Sequence, residues 1–257
     1  MKPDFKQYGF PYQDNLIMAF IGGSQLHGAK VGETDDTDWY GVFVEPPEKM
    51  IGLDRDEFFV FTTGGQAGGN GPRDVDVCLY SLRKWAGMAA KGNPSALHFL
   101  FAKEASSTPW WNKIAEAQNI FASRRHLTPF LKFAEDQMER LCGRRGQKNI
   151  HRAEVVRQHG FDTKYAMHVI RLYLEAKEYI ETGKITLPNP HVDTLIAIRQ
   201  GKFKLVEIEA MGKELQAEAL AAQSRSNLPE RVDTDAVSNL ITSVYLDFWT
   251  SQKLRKE

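Results

Sequence analysis

Residues 16–44 read LIMAFIGGSQLHGAKVGETDDTDWYGVFV, and this stretch decides the fold. The apolar run Leu16-Ile17-Met18-Ala19-Phe20-Ile21 ends at Gly22-Gly23, the pattern of a buried strand feeding a tight turn. A second strand is expected over Asp38 to Val44, closed by Glu45-Pro46-Pro47. Glycines after a buried strand let the backbone turn sharply and approach a ligand closely. If Ser24 opens a helix, its hydroxyl and the first-turn N–H groups gather at the positive end of the dipole, which suits phosphate. This is not a Walker A loop, since no Gly-Lys-Ser/Thr follows. Asp36 and Asp38 stand two apart at a strand start, so both carboxylates point to one face. Held that close they repel unless a cation lies between them, and hard oxygen ligands suit Mg²⁺ or Mn²⁺.

Working outward, Glu57 to Phe61 reads as a third strand, followed by the Gly-rich stretch Gly64 to Gly71, a hairpin loop or flap. Asp74 to Tyr80 is a fourth strand whose Asp74 and Asp76 share one face, so that one of them can meet the Asp36/Asp38 pair across the sheet. Three carboxylates can hold two metals, one activating an attacking hydroxyl and the other steadying a triphosphate. Helical signals then take over. Ser81 caps LRKWAGMAAK, Gly92 ends it, and Asn93-Pro94 opens SALHFLFA. Thr128-Pro129 repeats that signature before FLKFAEDQMERL. Asp162 caps a long helix to about Thr182, stopped by Gly183, and helical patterns follow near 203–223 and 235–252. The expected class is α+β: a small mixed sheet with helices, then a mostly helical domain, divided as 1–105 and 106–257.

Composition excludes several classes. At 257 residues, 42% hydrophobic and 26% charged, the chain can build a sizeable core without staples. Lys+Arg and Asp+Glu are equal at 33, which argues against coating nucleic acid by bulk charge but leaves a local basic face open. Two cysteines, Cys78 and Cys142, give no disulfide framework or thiolate zinc site. With no signal-like start and no 18-residue apolar run, a soluble cytoplasmic protein is expected, without a membrane partner.

The run GGSQLHGAKVGETDDTDWYGVFVEP resembles the signature of the DNA polymerase β-like nucleotidyltransferases, and more narrowly of those associated with RNA-repair gene clusters and phages. Gly23, Ser24, Gly28, Asp36, Asp38, Gly41, Val42 and Phe43 carry the match. It continues through DVCLYSLRKWAGMAAKGNPSALHFLF and GFDTKYAMHVIRLYLEAKEYIETGKITLP, covering roughly residues 15–205 and leaving the last 50 or so unplaced. Two features depart from the pattern: the Ser24-to-Asp36 segment is about one residue longer, and Asp35 replaces the usual Ser, as an outer metal neighbour or a turn residue. The resemblance implies transfer of a nucleoside monophosphate from an NTP to an acceptor, with release of pyrophosphate. It further implies Gly23 and Ser24 on the β- and γ-phosphates, Asp36 and Asp38 on both metals (Mg²⁺ or Mn²⁺), and Asp76 as the third catalytic carboxylate, with Asp74 as the fallback.

Lys164, His168, Arg171 and Glu175 recur at i, i+4, i+7 and i+11 as a polar stripe on an otherwise apolar helix. The stripe is either a nucleotide-binding face, with Lys164, His168 and Arg171 toward the phosphates, or an internal ion-pair ladder in which Arg171 meets Glu175. From residue 138 to 171 there are eight Lys/Arg against three acids. Arg144, Arg145, Lys148 and Arg152 head this excess, as an RNA-binding segment or as a solvated loop. Arg83 and Lys84 either reach phosphate or pair with an acid. Trp39, Tyr40, Trp85, His98, Phe99 and Phe101 read as core, and His27 needs no catalytic role. RNA is the expected acceptor. The alternatives are nucleotidylation of a protein or a small molecule, a catalytically silent NTP- or RNA-binding module, and a metal-dependent phosphodiesterase.

Overall fold

A computed structural model describes residues 3–31, 36–64, 74–103, 106–144 and 153–254. The strands are β1 (Leu16–Ile21), β2 (Thr37–Phe43), β3 (Phe58–Thr62), β4 (Val75–Ser81) and β5 (Ser106–Ser107). They form one mixed sheet in the order β3-β4-β2-β1-β5. β2 and β4 run parallel, and every other pairing is antiparallel. The four longer strands were readable from composition and alternation. The two-residue edge strand β5, which lies beyond residue 105, was not.

β1 is apolar without alternation because it is covered on both faces. A register shift between Leu16 and Met18 marks a bulge. Leu16 and Ala19 therefore face one cluster, with Phe5, Phe10, Phe43, Val77 and Leu79. Ile17, Met18 and Phe20 face the larger one, built with the helices. The N-terminal segment closes the first face through aromatic contacts such as Phe10 on Phe43, 5.2 Å between ring centres. Trp39 packs there against Phe5, as core packing predicts.

The helices are α1 (Gly23–Leu26), α2 (Pro47–Ile51), α3 (Leu82–Ala90), α4 (Pro94–Phe101), α5 (Pro109–Glu116), α6 (Leu127–Leu141), α7 (Ala153–His159), α8 (Thr163–Thr182), α9 (Val192–Arg199), α10 (Leu205–Gln223) and α11 (Thr234–Leu254). Three caps are those the sequence predicts: Ser81 accepts from Lys84 N, Asn93 from Ala96 N and Asp162 from Tyr165 N. Gly183, at φ 73°, takes the left-handed residue that ends α8. One start differs from expectation. α6 begins at Leu127, before Thr128, and Pro129 sits inside its first turn, where no N–H needs an intrahelical partner. The short helices α2, α5, α7 and α9 carry too few turns to stand out by periodicity.

α6, α9 and α10 pack around α8. α11 returns to the sheet: Tyr245 Oη donates to Glu45 Oε2 at 2.5 Å and accepts from Arg83 N at 3.0 Å. Trp249 Nε1 donates to Glu45 O at 2.9 Å. The last 50 or so residues, without a place in the sequence resemblance, thus clamp the end of β2 to the start of α3. The larger core runs from Ile17 to Phe248, across the expected 105/106 division. Among the described residues, no helix is long and apolar enough to cross a membrane.

Candidate active site

The site forms where β1 hands over to α1. Gly22 N donates to Asp38 O at 2.7 Å, holding the turn against the start of β2. Gly23 has φ +58°, and a Cβ built there lies 2.0 Å from Asp38 Oδ2. Only glycine lets the backbone come this close to the carboxylate. The segment after it winds into a single turn, Gly23–Leu26, the helix opening that the sequence posed as a condition.

The parallel register sets Asp38 directly opposite Asp76. Asp36, Asp38 and Asp76 each offer a carboxylate oxygen, and these atoms lie within 4.8 Å of one another. An all-oxygen anionic donor set of this size fits a hard divalent cation such as Mg²⁺ or Mn²⁺, and it does not fit a soft thiophilic one. Asp74 is used otherwise: its Oδ1 accepts from the Thr63 hydroxyl at 3.1 Å. Asp35 lies outside the described residues, as does most of the Gly64–Gly71 stretch.

Beside the carboxylates is a cleft of about 320 Å³. The turn contributes Gly22, Gly23, Ser24 and His27, β2 contributes Tyr40, α4 contributes Ser95, His98 and Phe99, and α8 contributes Lys164, Tyr165, His168 and Arg171. The structure therefore gathers Gly23, Ser24, Lys164, His168 and Arg171 around one space. Tyr40, His98 and Phe99, read from sequence as core, also line it: Tyr40 from β2, and His98 and Phe99 because α4 lies over the sheet.

At the cleft wall Arg171 meets buried partners. Its Nη1 donates to Glu175 Oε1 and to His27 Nε2, both at 2.8 Å, and its Nη2 donates to His168 Nδ1 at 2.8 Å. His98 Nε2 lies 2.9 Å from Glu175 Oε2, and His27 Nδ1 lies 3.2 Å from Oε1. Burial alone raises the pKa of Glu175, but Arg171, His98 and His27 hold it well below the usual carboxylate range. Burial and then the Arg171 charge push His27 and His168 each down to about 3. His27, His98 and Glu175 are close enough to ligate a metal, but the guanidinium already supplies the positive charge there. The ladder that the sequence posed as the alternative for Arg171 and Glu175 is present, and it borders the cleft.

The basic segment is only partly described. Arg144 pairs with Glu139 at 3.1 Å and with Glu209, while Arg145, Lys148 and Arg152 lie outside the described residues. Lys84 pairs with Glu57 at 2.8 Å, the ion-pair alternative for that lysine.

A family model matches residues 4–241. The chain belongs to RlaP, the RNA repair pathway DNA polymerase beta family. RlaP membership gives the chain its general class, a polymerase β-like nucleotidyltransferase in an RNA-repair context. The match reaches well past the 15–205 span read from motifs and takes in α10 and part of α11. No curated protein and no solved structure matches the chain.

Two expectations follow from this geometry. Gly23→Ala sets a methyl group into the Asp38 carboxylate and forces a left-handed alanine, a strain of about 1–2 kcal/mol before the clash is counted. Its urea midpoint and its transfer rate should both fall, and an unchanged pair of values would remove Gly23 from the site. The second concerns pH. His27 and His168 have folded pKa values below the ordinary imidazole value, so their stabilisation is present above pH ~6.5 and lost as pH falls toward 3. Unfolding should take up close to two protons between about pH 6 and 4, read as a falling urea midpoint. A midpoint flat across that window contradicts two neutral histidines.

Proposed function

We propose that this protein is a metal-dependent nucleotidyltransferase that moves a nucleoside monophosphate from an NTP to an acceptor hydroxyl at an RNA end, releasing pyrophosphate. The observation that carries the reading is the juxtaposition of Asp38 and Asp76 across parallel strands, with Asp36 beside them and Gly23 packed on Asp38. Asp36, Asp38 and Asp76 would hold the divalent cation, which when bound neutralises charge on the phosphates and lowers the pKa of the attacking hydroxyl. The acceptor oxygen bonds to the α-phosphorus as the bond to pyrophosphate breaks, and Asp76 is the base for the hydroxyl proton. Gly23 and Ser24 take the β- and γ-phosphates. Lys164 and His168 face them from α8, and Arg171 supports His168. In this reading residues 1–105 carry the chemistry and residues 106–257 close the cleft.

RNA is favoured as acceptor by the RNA-repair context of the family and by the positive excess of residues 138–171. The test is a transfer assay with the four α-labelled NTPs, Mg²⁺ or Mn²⁺ and total RNA, with Asp38→Ala alongside. Label on RNA from the native enzyme alone is expected. Label on protein moves the acceptor to a side chain. Label on neither, with NTP still protecting against thermal unfolding, points to a silent module or a small acceptor.

A further inference from the structure

The imidazole of His168 is placed by a residue that has no choice about its role. A guanidinium has only donors to offer, so each nitrogen that receives it must be bare. Arg171 Nη2 donates to His168 Nδ1 at 2.8 Å, and in a neutral ring the proton must then sit on Nε2. On His27 the same Nη1 lies 2.8 Å from Nε2 and 3.4 Å from Nδ1; the shorter contact leaves Nε2 bare and puts the proton on Nδ1, the atom 3.2 Å from Glu175 Oε1. Glu175 fixes Arg171 in turn, from one turn further along α8. Glu175 is fully buried, at 0% exposure, and Arg171 is at 6%, so neither is free to swing.

His168 is half-buried at the cleft, and its ring packs near Phe133 and Tyr165. Among the described residues Nε2 meets no protein acceptor, although Nδ1 is engaged. Four residues earlier, one turn along the same helix, Lys164 lines the same cleft, with Ser24 also at its wall.

We infer that Arg171, anchored by Glu175 and His27, is a positioning residue that locks His168 as a neutral Nε2–H donor turned to an acceptor-only group in the cleft, a phosphate oxygen of the bound nucleotide. The phosphate half rests on the proposed function; the lock does not. Such an imidazole is a hydrogen-bond donor and never a general base, since its outward nitrogen already carries the proton. The charged and titratable groups that face it are Arg171, Glu175, Lys164 and Tyr165 on its own helix, His27 from the turn and His98 from α4, while α6 presents the uncharged Phe133. Burial first, and Arg171 second, keep the ring neutral through the working pH range.

Histidine-labelled native protein tests the lock without any substitution. Two-bond proton–nitrogen correlations from pH 5 to 8 should show His168 in the Nε2–H form throughout, with no titration step. An Nδ1–H pattern, or a step near the ordinary imidazole value, overturns the inference. The ligand is tested by calorimetric binding of α,β-methylene NTP analogues in the presence of Mg²⁺. Glutamine can place its amide N–H where Nε2–H was, whereas asparagine falls short. His168→Phe and His168→Asn should therefore weaken binding about tenfold or more, and His168→Gln should stay within a few-fold of native. Equal losses in the Gln and Asn variants overturn the donor role. Arg171→Lys keeps the charge but loses the fork, so His168 should stay neutral yet populate the Nδ1–H form as well; an unchanged correlation pattern overturns the role of Arg171. No nucleotide binding to the native protein overturns the phosphate assignment together with the functional reading, and the labelled ring reports on the lock separately.

Discussion

Asp38→Asn should lower nucleotidyl transfer about a thousandfold while leaving the fold intact, because a bound cation contributes several kcal/mol to such a reaction. Asp38 joins several parts of the site: it faces Asp76 across β2 and β4, its carboxylate lies against the Gly23 backbone, and its carbonyl receives Gly22 N–H. The amide keeps the shape and removes one of three like charges held within 4.8 Å. Without metal, the variant should therefore melt at or above the native temperature. In the proposed reading Mg²⁺ should raise the melting temperature of the native protein, and the variant should lose that rise. Transfer within tenfold of native, or a Mg²⁺ shift that survives, removes Asp38 from the metal set. The paired melts separate a catalytic loss from a folding loss, which a rate alone does not.

Glu175→Ala should produce the largest stability change. It strands Arg171 in the core, and removing one partner of a buried ion pair typically costs about 3–5 kcal/mol. For a chain of this size that corresponds to a fall of roughly 10 °C in melting temperature. His27 and His98 lose their common acceptor at the same time, so the turn and α4 loosen where they meet α8. Glu175→Gln should fall between, since the amide oxygen still accepts but carries no charge. A drop below about 2 °C for the alanine variant would show that water reaches Arg171 in solution and that the network is not sealed.

These two residues differ in how much their sequence neighbourhood discloses. Asp38 sits in a local signature: a strand, two glycines, a serine, then acids two apart, and each part has a physical reason to be next to the others. Glu175 sits in a polar stripe with two equally good explanations, because an i, i+4 pair and a ligand-facing stripe have the same spacing. The structure places Arg171 and Glu175 in the internal ladder, and the ladder in turn forms the wall of the cleft. The choice between Asp74 and Asp76 was of the same kind. Both lie on one face of a strand, and only the in-register pairing of β4 with β2 sets Asp76 opposite Asp38 and leaves Asp74 to Thr63.

The sequence by itself determined what is encoded over a few residues. The apolar run of β1, the caps at Ser81, Asn93 and Asp162, the left-handed end at Gly183 and the acidic signature after the Gly-Gly turn all arise from interactions between near neighbours, which a linear reading captures. The tertiary structure decided what depends on which elements become adjacent: the parallel β2/β4 register that assembles the carboxylates, the α4 crossing that turns His98 and Phe99 toward the cleft, the return of α11 to Glu45, and the imidazole network closed by Arg171. Apart from the pairs Arg171 makes with His168 and Glu175 within α8, those contacts join residues from 38 to 200 positions apart, and their energies come from burial and shared charge, so no spacing along the chain announces them.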